Sequence, residues 1–277
     1  MKAPLFLLVI ITSLSCKGQS IFSVLHLNEE RDVHAGVPKV ISETRIFYNS
    51  NGTERKKELT EFDHFGLPAS KKFIDEDGRT ASMVTYKYDS VKRVILESNL
   101  SEFIVRFPTE RVQTIYQYNG SKSPIRIQYL NTNGDTLTDV LLKNDSLGLP
   151  IELQLFEPVG NLIGFETASY IPKENRAIVS VGNNQGKILS TDTMNISFKD
   201  AYMFNRRDVS YNEKGDVIFA QSSWPDGSLH YSEYEYTYDE VGNWTDQKTF
   251  EVTYKSNGKK NRKLKSKFKR EIQYWAK

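Results

Sequence analysis

The stretch Tyr234-Glu235-Tyr236-Thr237-Tyr238-Asp239-Glu240-Val241-Gly242-Asn243-Trp244 holds a strand and a turn in eleven consecutive residues. Tyr234, Tyr236 and Tyr238 fall on one face, and Glu233, Glu235 and Thr237 on the other. That period of two is the mark of a half-buried strand. Asp239 followed three places later by Gly242 is turn chemistry: the side-chain oxygen can accept from backbone amides just ahead, and glycine takes positive φ without steric cost. The phrase recurs as Tyr48-Asn49 with Gly52, Phe62-Asp63 with Gly66, and Tyr211-Asn212 with Gly215. Copies return about every 13 residues, which marks a repeat architecture. A unit of that length holds one strand and one turn, so consecutive units run antiparallel.

Working outward, Val84-Thr85-Tyr86-Lys87-Tyr88 and Ile125-Arg126-Ile127-Gln128-Tyr129 alternate in the same way. Turns are expected at Asn131 with Gly134, Asp145 with Gly148, Pro158 with Gly160, Pro225-Asp226-Gly227 and Asn257-Gly258. Pro68 and Pro150 follow their turns at strand starts, where a missing amide donor is tolerated. Gly36-Val37-Pro38 is an earlier version of the same device, and places the first strand at 39–48. The spacing predicts an all-β fold: a repetitive antiparallel β-meander in a single curved or twisted sheet, with partial closure left open. Residues 17–35 read as a polar lead-in and 36–277 as the β-repeat domain. The least regular window, 158–205, is where a sub-boundary would fall, near Lys173-Glu174-Asn175.

At the amino terminus, Lys2 precedes an apolar run at 5–11 and small residues up to Cys16. One positive charge, a short apolar core and small residues describe an export signal over 1–16. The run is too short to span a bilayer, which takes roughly 20 apolar residues. Cys16 is the single cysteine, so no disulfide can form within the chain. Leu14-Ser15-Cys16 at the end of the apolar run resembles a bacterial lipoprotein signal, although Ser13 stands where leucine is usual. The resemblance implies lipidation of Cys16 and an outer-membrane or cell-surface lipoprotein. The alternative is an ordinary signal cut near Gly18, which gives a periplasmic or secreted protein.

The net charge of +2 supplies no global field for nucleic acid. His26, His34, His64 and His230 make no metal-ligand spacing with one another or with Cys16, so no metal site or cofactor is expected. No Gly-x-Ser-x-Gly elbow is present. Asp75-Glu76-Asp77-Gly78 lacks the further ligands of a calcium loop and falls on the turn register. Lys263, Lys265, Lys267 and Lys269 alternate with Leu264 and Phe268. They read as the wet face of a terminal strand guarding an exposed sheet edge, or as contacts to an anionic surface. Tyr234, Tyr236, Trp224 and Trp244 are candidate glycan or partner contacts, with the two tryptophans the more exposed because they flank turns. The competing role for such a row is cross-strand packing in the core.

Tyr236-Thr237-Tyr238-Asp239-Glu240-Val241-Gly242-Asn243-Trp244 resembles the YD repeats of the RHS family, and Tyr86-Lys87-Tyr88-Asp89 with Arg93 is similar, with Lys92 in the place of glycine. Tyr116-Gln117-Tyr118-Asn119 is a weaker copy. The chain is also similar to small exported repeat proteins of Bacteroidetes-like bacteria. The resemblance implies a β-rich wall with roles in surface display or carbohydrate contact; the chain is far too short to enclose a toxin. These observations predict a non-catalytic envelope protein, held to the membrane by its lipid alone, that presents a sheet surface to a protein or glycan. The alternatives are a small envelope enzyme acting on glycan and a carrier of an apolar ligand with a half-open barrel.

Overall fold

The computed structural model describes residues 20–27, 33–103, 110–196, 206–223, 228–254 and 257–276. Cys16, Trp224 and the expected turn at Pro225-Asp226-Gly227 lie outside them. A short helix, α1 (Ile21–Leu25), precedes β1 (Pro38–Asn49), β2 (Gly52–Phe62), β3 (Pro68–Ile74), β4 (Thr80–Tyr88), β5 (Ile95–Glu102) and β6 (Glu110–Gln117). Then come β7 (Arg126–Leu130), β8 (Thr136–Asn144), β9 (Pro150–Phe156), β10 (Leu162–Ile171), β11 (Arg176–Asn183) and β12 (Ile188–Asn195). The last five are β13 (Arg206–Tyr211), β14 (Val217–Ser223), β15 (Leu229–Tyr238), β16 (Trp244–Tyr254) and β17 (Lys260–Tyr274).

All the strands lie in one antiparallel sheet. Strands β1 to β12 pair in chain order, as do β13 to β17, and β17 pairs with β1 to join the two runs. The first strand therefore sits in the middle of the sheet. No ladder joins β12 to β13 among the described residues, and the sheet is open there. At Lys173-Glu174-Asn175 the sheet is continuous, with β10 and β11 paired from Gly164 opposite Asn183 to Ile171 opposite Arg176 across a single turn at 172–175; the open place between β12 and β13 falls within the same irregular window, 158–205.

Antiparallel neighbours place their turns alternately on two rims. The turns after β2, β4, β6, β8, β10, β13 and β15 share one rim, called here the upper, with the start of β1 and the end of β17. A hydrogen bond from Trp275 Nε1 to the Asp63 carbonyl (3.1 Å) joins that end to the turn after β2. The turns after β1, β3, β7, β9 and β11 lie on the lower rim.

Most turns repeat one design. At Asp145 the carboxylate accepts from the Leu147 and Leu149 amides (2.8 and 2.9 Å), the Gly148 amide donates to the Asp145 carbonyl (3.0 Å), and Gly148 has φ +80°. Asp63, Asn131, Asn183 and Asn212 do the same. This is a tight turn followed by a one-residue bulge, so the side chain and the glycine are both required by the loop. At Asp89 the loop is one residue longer, and Arg93 takes the left-handed conformation (φ +57°) in glycine's stead.

The tyrosine of the repeated phrase works on the upper rim alone. Tyr88, Tyr118 and Tyr170 donate their hydroxyls to the carbonyls of Pro68, Ile95 and Pro150 (2.7–2.8 Å), just after the preceding turn on that rim. Tyr238 donates to the carboxylate of Asp216 (2.7 Å). Each such bond crosses two strands, so the structural period is a hairpin of about 26 residues, twice the sequence unit.

The face that carries α1 is the inner one. Ile21, Val24 and Leu27 are buried there in one cluster with Ile95, Tyr116, Ile127, Val140 and Leu153. Ser20 caps α1 by accepting from the Ser23 amide (3.1 Å), and the Ile21 amide donates to Glu166 on β10 (2.7 Å). The lead-in, read from sequence as polar, thus contributes three core residues. Burial pushes the Glu166 carboxyl up, against the opposing hydrogen bond from Ile21.

Candidate functional site

The strands β17, β1 and β2 lie side by side and carry different chemistry on their two faces. On the inner face Glu43 and Arg270 stand opposite each other, 6% and 7% exposed, and are ion-paired. Arg45 bonds the same carboxylate. Glu58 receives Lys71 (3.1 Å) and Arg45 (3.7 Å). The Arg270 guanidinium lies over the Trp244 ring at 3.4 Å. Burial alone would raise the Glu43 carboxyl, but Arg270 and Arg45 outweigh it and hold it below its ordinary value. A carboxylate gripped by two guanidiniums is a poor base, and this cluster fixes the strands to one another.

On the outer face of the same strands lies a groove of about 720 Å³, lined by Thr44, Ile46, Tyr48, Arg55, Lys57 and Glu76 among others. Alternation puts Thr44, Ile46 and Tyr48 on this side because Glu43, Arg45 and Phe47 face inward. Lys269 and Lys267 on β17 stand opposite Thr44 and Ile46, along the groove's flank. Lys267 is paired with Asp246 (3.0 Å) and Lys265 with Glu251 (3.5 Å). The site therefore offers one aromatic ring, the apolar side chains of Ile46 and Ile74, and a border in which the cations Arg55, Lys56 and Lys57 outnumber the carboxylates Asp75 and Glu76. Arg55 and Lys57 were not singled out by sequence, and Tyr48 was read there only as part of the repeated turn phrase. The cue was present in Arg55-Lys56-Lys57, but only the β1–β2 and β1–β17 registers bring those side chains beside the lysines of β17.

A third cluster ties the lead-in to the upper rim. Asn243, 1% exposed, accepts from the His34 and Ala35 amides and donates to the Ala35 carbonyl and the Tyr274 hydroxyl (2.7 Å each). Tyr274 donates in turn to Asp239. His34 meets Asp216 (2.9 Å), which also accepts from Tyr238. Burial first, and then the bond to a carboxylate, push Tyr238 and Tyr274 up to about 12.

Two expectations are corrected. Lys263, Lys265, Lys267 and Lys269 do not guard an edge: β17 lies between β16 and β1, because the first strand closes against the last. Of these lysines, Lys263, Lys265 and Lys269 are exposed and Lys267 is half-buried. Trp244 is 6% exposed, since the turn folds it under Arg270 rather than into solvent. Tyr236 and Tyr234 are half-buried, and Tyr236 accepts from Gln247 (2.9 Å) and stacks on Tyr238. The Asp75 turn is filled by its own groups: Asp75 accepts from the Arg79 amide (2.8 Å) and Asp77 pairs with Arg79.

No protein-family model matches the sequence, and no curated protein matches it. Among solved structures, the chain is similar to a porin-like protein from Bacteroides uniformis, at 9% identity over 86% of this chain and 99% of that one, TM-score 0.47. A porin-like protein from Bacteroides vulgatus is 13% identical over 86% and 98%, TM-score 0.27. The Photorhabdus luminescens Tc holotoxin pore is 11% identical over 78% of this chain and 15% of that one, TM-score 0.24. All three scores lie below 0.5, and none of these likenesses carries a function to this chain.

Proposed function

We propose that this β-repeat chain is a non-catalytic, exported envelope protein, tethered through Cys16, whose outer face over β17, β1 and β2 binds an acidic glycan. The observation that supports this reading is the outer groove, where the Tyr48 ring and the cations Arg55 and Lys57 converge beside Lys267 and Lys269. Sugar faces stack on aromatic rings, and carboxylated sugars pair with a cationic border. The inner face supports the carrier alternative less well, because α1 fills its apolar cluster.

Calorimetric titration with polygalacturonate, and with dextran as a neutral control, tests the reading. Binding of the acidic polymer alone is expected, weakened roughly tenfold by Tyr48→Ala and by Arg55→Ala with Lys57→Ala, a loss of about 1.4 kcal/mol. Equal binding of both polymers, or binding indifferent to these substitutions, overturns it. Shortening of the polymer, abolished by a single Asp or Glu substitution, favours the enzyme instead.

A further inference from the structure

The outer face carries a second set of rings. Tyr236 faces inward against Trp244, so alternation along β15 turns Tyr231 and Glu233 outward, onto the face of the groove. The ladders extend that face across the sheet: Phe219 stands opposite Glu233, and Val252 lies between Tyr231 and Arg262. The Tyr231 ring stacks on Phe219 at 6.2 Å and meets Tyr254 edge-on at 5.4 Å. Arg262 lies over the Phe250 ring at 3.9 Å and pairs with Glu233 at 3.0 Å. Val252 is 2% exposed although it faces outward, so its neighbours lie across the sheet rather than away from it. Packing on Val252 accounts for Tyr231. It does not account for Tyr254 and Leu229, which are 52 and 46% exposed at the same lower end of the strands. Apolar side chains left open to water beside a covered one mark a contact surface.

The position of these rings relative to the groove says what they meet. Tyr48 is also at the lower end: continued one residue past Phe47 opposite Ser266, the β1–β17 ladder sets it beside Lys265. From Tyr48 to Tyr231 is three strand spacings and two residues, about 16 Å. The strip between them is formed by β17 and β16, with Arg262, Lys265 and Lys267 among its cations. Lys265 is 3.5 Å from Glu251 and Lys267 is 3.0 Å from Asp246. Such solvent-exposed pairs are weak, so a carboxylate from outside can join them at little cost. Two aromatic stations thus flank a cationic strip on one continuous face, too far apart for a trisaccharide to touch both.

We infer that the binding face runs from the Tyr48 groove across β17 and β16 to Tyr231 and Tyr254, and takes an extended run of an acidic polysaccharide laid across the strands. The chain stacks at Tyr48, pairs its carboxylates over β17, and stacks again at Tyr231 and Tyr254. This inference rests on the groove as a glycan site and adds the direction of the chain and the length it must have. A long run gains affinity because its second contact is made by a chain already held at the first.

Calorimetric titration of the full chain with trigalacturonate and octagalacturonate tests it. Tyr231→Ala combined with Tyr254→Ala is expected to weaken the octamer about tenfold and to leave the trimer within about twofold. Comparing variants at one length discounts the extra registers a long chain offers to any site. Unchanged trimer binding also shows that the double variant is folded. Should it not fold, Tyr254→Asp, at the most exposed of the rings, is expected to weaken the octamer alone by repelling its carboxylates. Octamer binding indifferent to these substitutions, or octamer and trimer weakened alike, overturns the inference and leaves the groove reading standing. No binding of either oligomer overturns both.

Discussion

Replacing Asn243 by alanine should loosen the whole upper rim, and the cost can be worked from its bonds. The side chain serves three backbone groups, the His34 and Ala35 amides and the Ala35 carbonyl, and it also donates to Tyr274. At 1% exposure no water replaces it without a local opening. A buried backbone group left without a partner costs about 1–3 kcal/mol, and at the low end three give about 3 kcal/mol. At about 2–4 °C per kcal/mol for a chain of this size, Asn243→Ala should melt about 6–12 °C lower by circular dichroism. Hydrogen exchange at the His34 and Ala35 amides should accelerate by a similar free energy. Thr237→Ala, on the exposed side of the adjoining strand, is the control and should stay within about 0.5 kcal/mol. A drop under about 2 °C, or exchange at 34–35 unchanged, would refute the claim that this asparagine clamps the lead-in to the sheet.

Two further outcomes follow from the inner face. Ile21→Ala should cost about 2–5 kcal/mol in urea unfolding, as for a fully buried core side chain; a cost no larger than that of Ile188→Ala, at an exposed position, would show that α1 is not part of the core. Glu43 is held below its ordinary 4.5, so its folded form binds a proton less readily than its unfolded form. Its stabilisation is complete above that value and fades as pH falls through the folded one. Acid titration should therefore destabilise the parent more steeply below pH 4.5 than Glu43→Gln, which has no proton to gain there; parallel acid limbs would disprove it.

The strands, their direction and their turns were legible because each is a local rule. Alternation names the strand, and Asp or Asn with a glycine three residues on names the turn. Which tyrosine is core and which is rim is not local, since Tyr238 looks like Tyr236 in sequence, yet one latches onto Asp216 and the other packs under Gln247 and Trp244. The closure of β17 on β1 was illegible for the same reason: strand pairing across the whole chain leaves no mark on periodicity. Closure changes the meaning of residues already noticed. It converts Lys267 and Lys269 from edge guards into the border of a groove, and it buries Arg270 against Glu43 and Trp244. The proposed glycan binding depends on that closure, because it aligns the cationic face of β17 with Tyr48. Disrupting the β1–β17 ladder should therefore weaken binding of the acidic polymer, whereas substitutions at the turn tips on the opposite rim from Tyr48 should leave it intact.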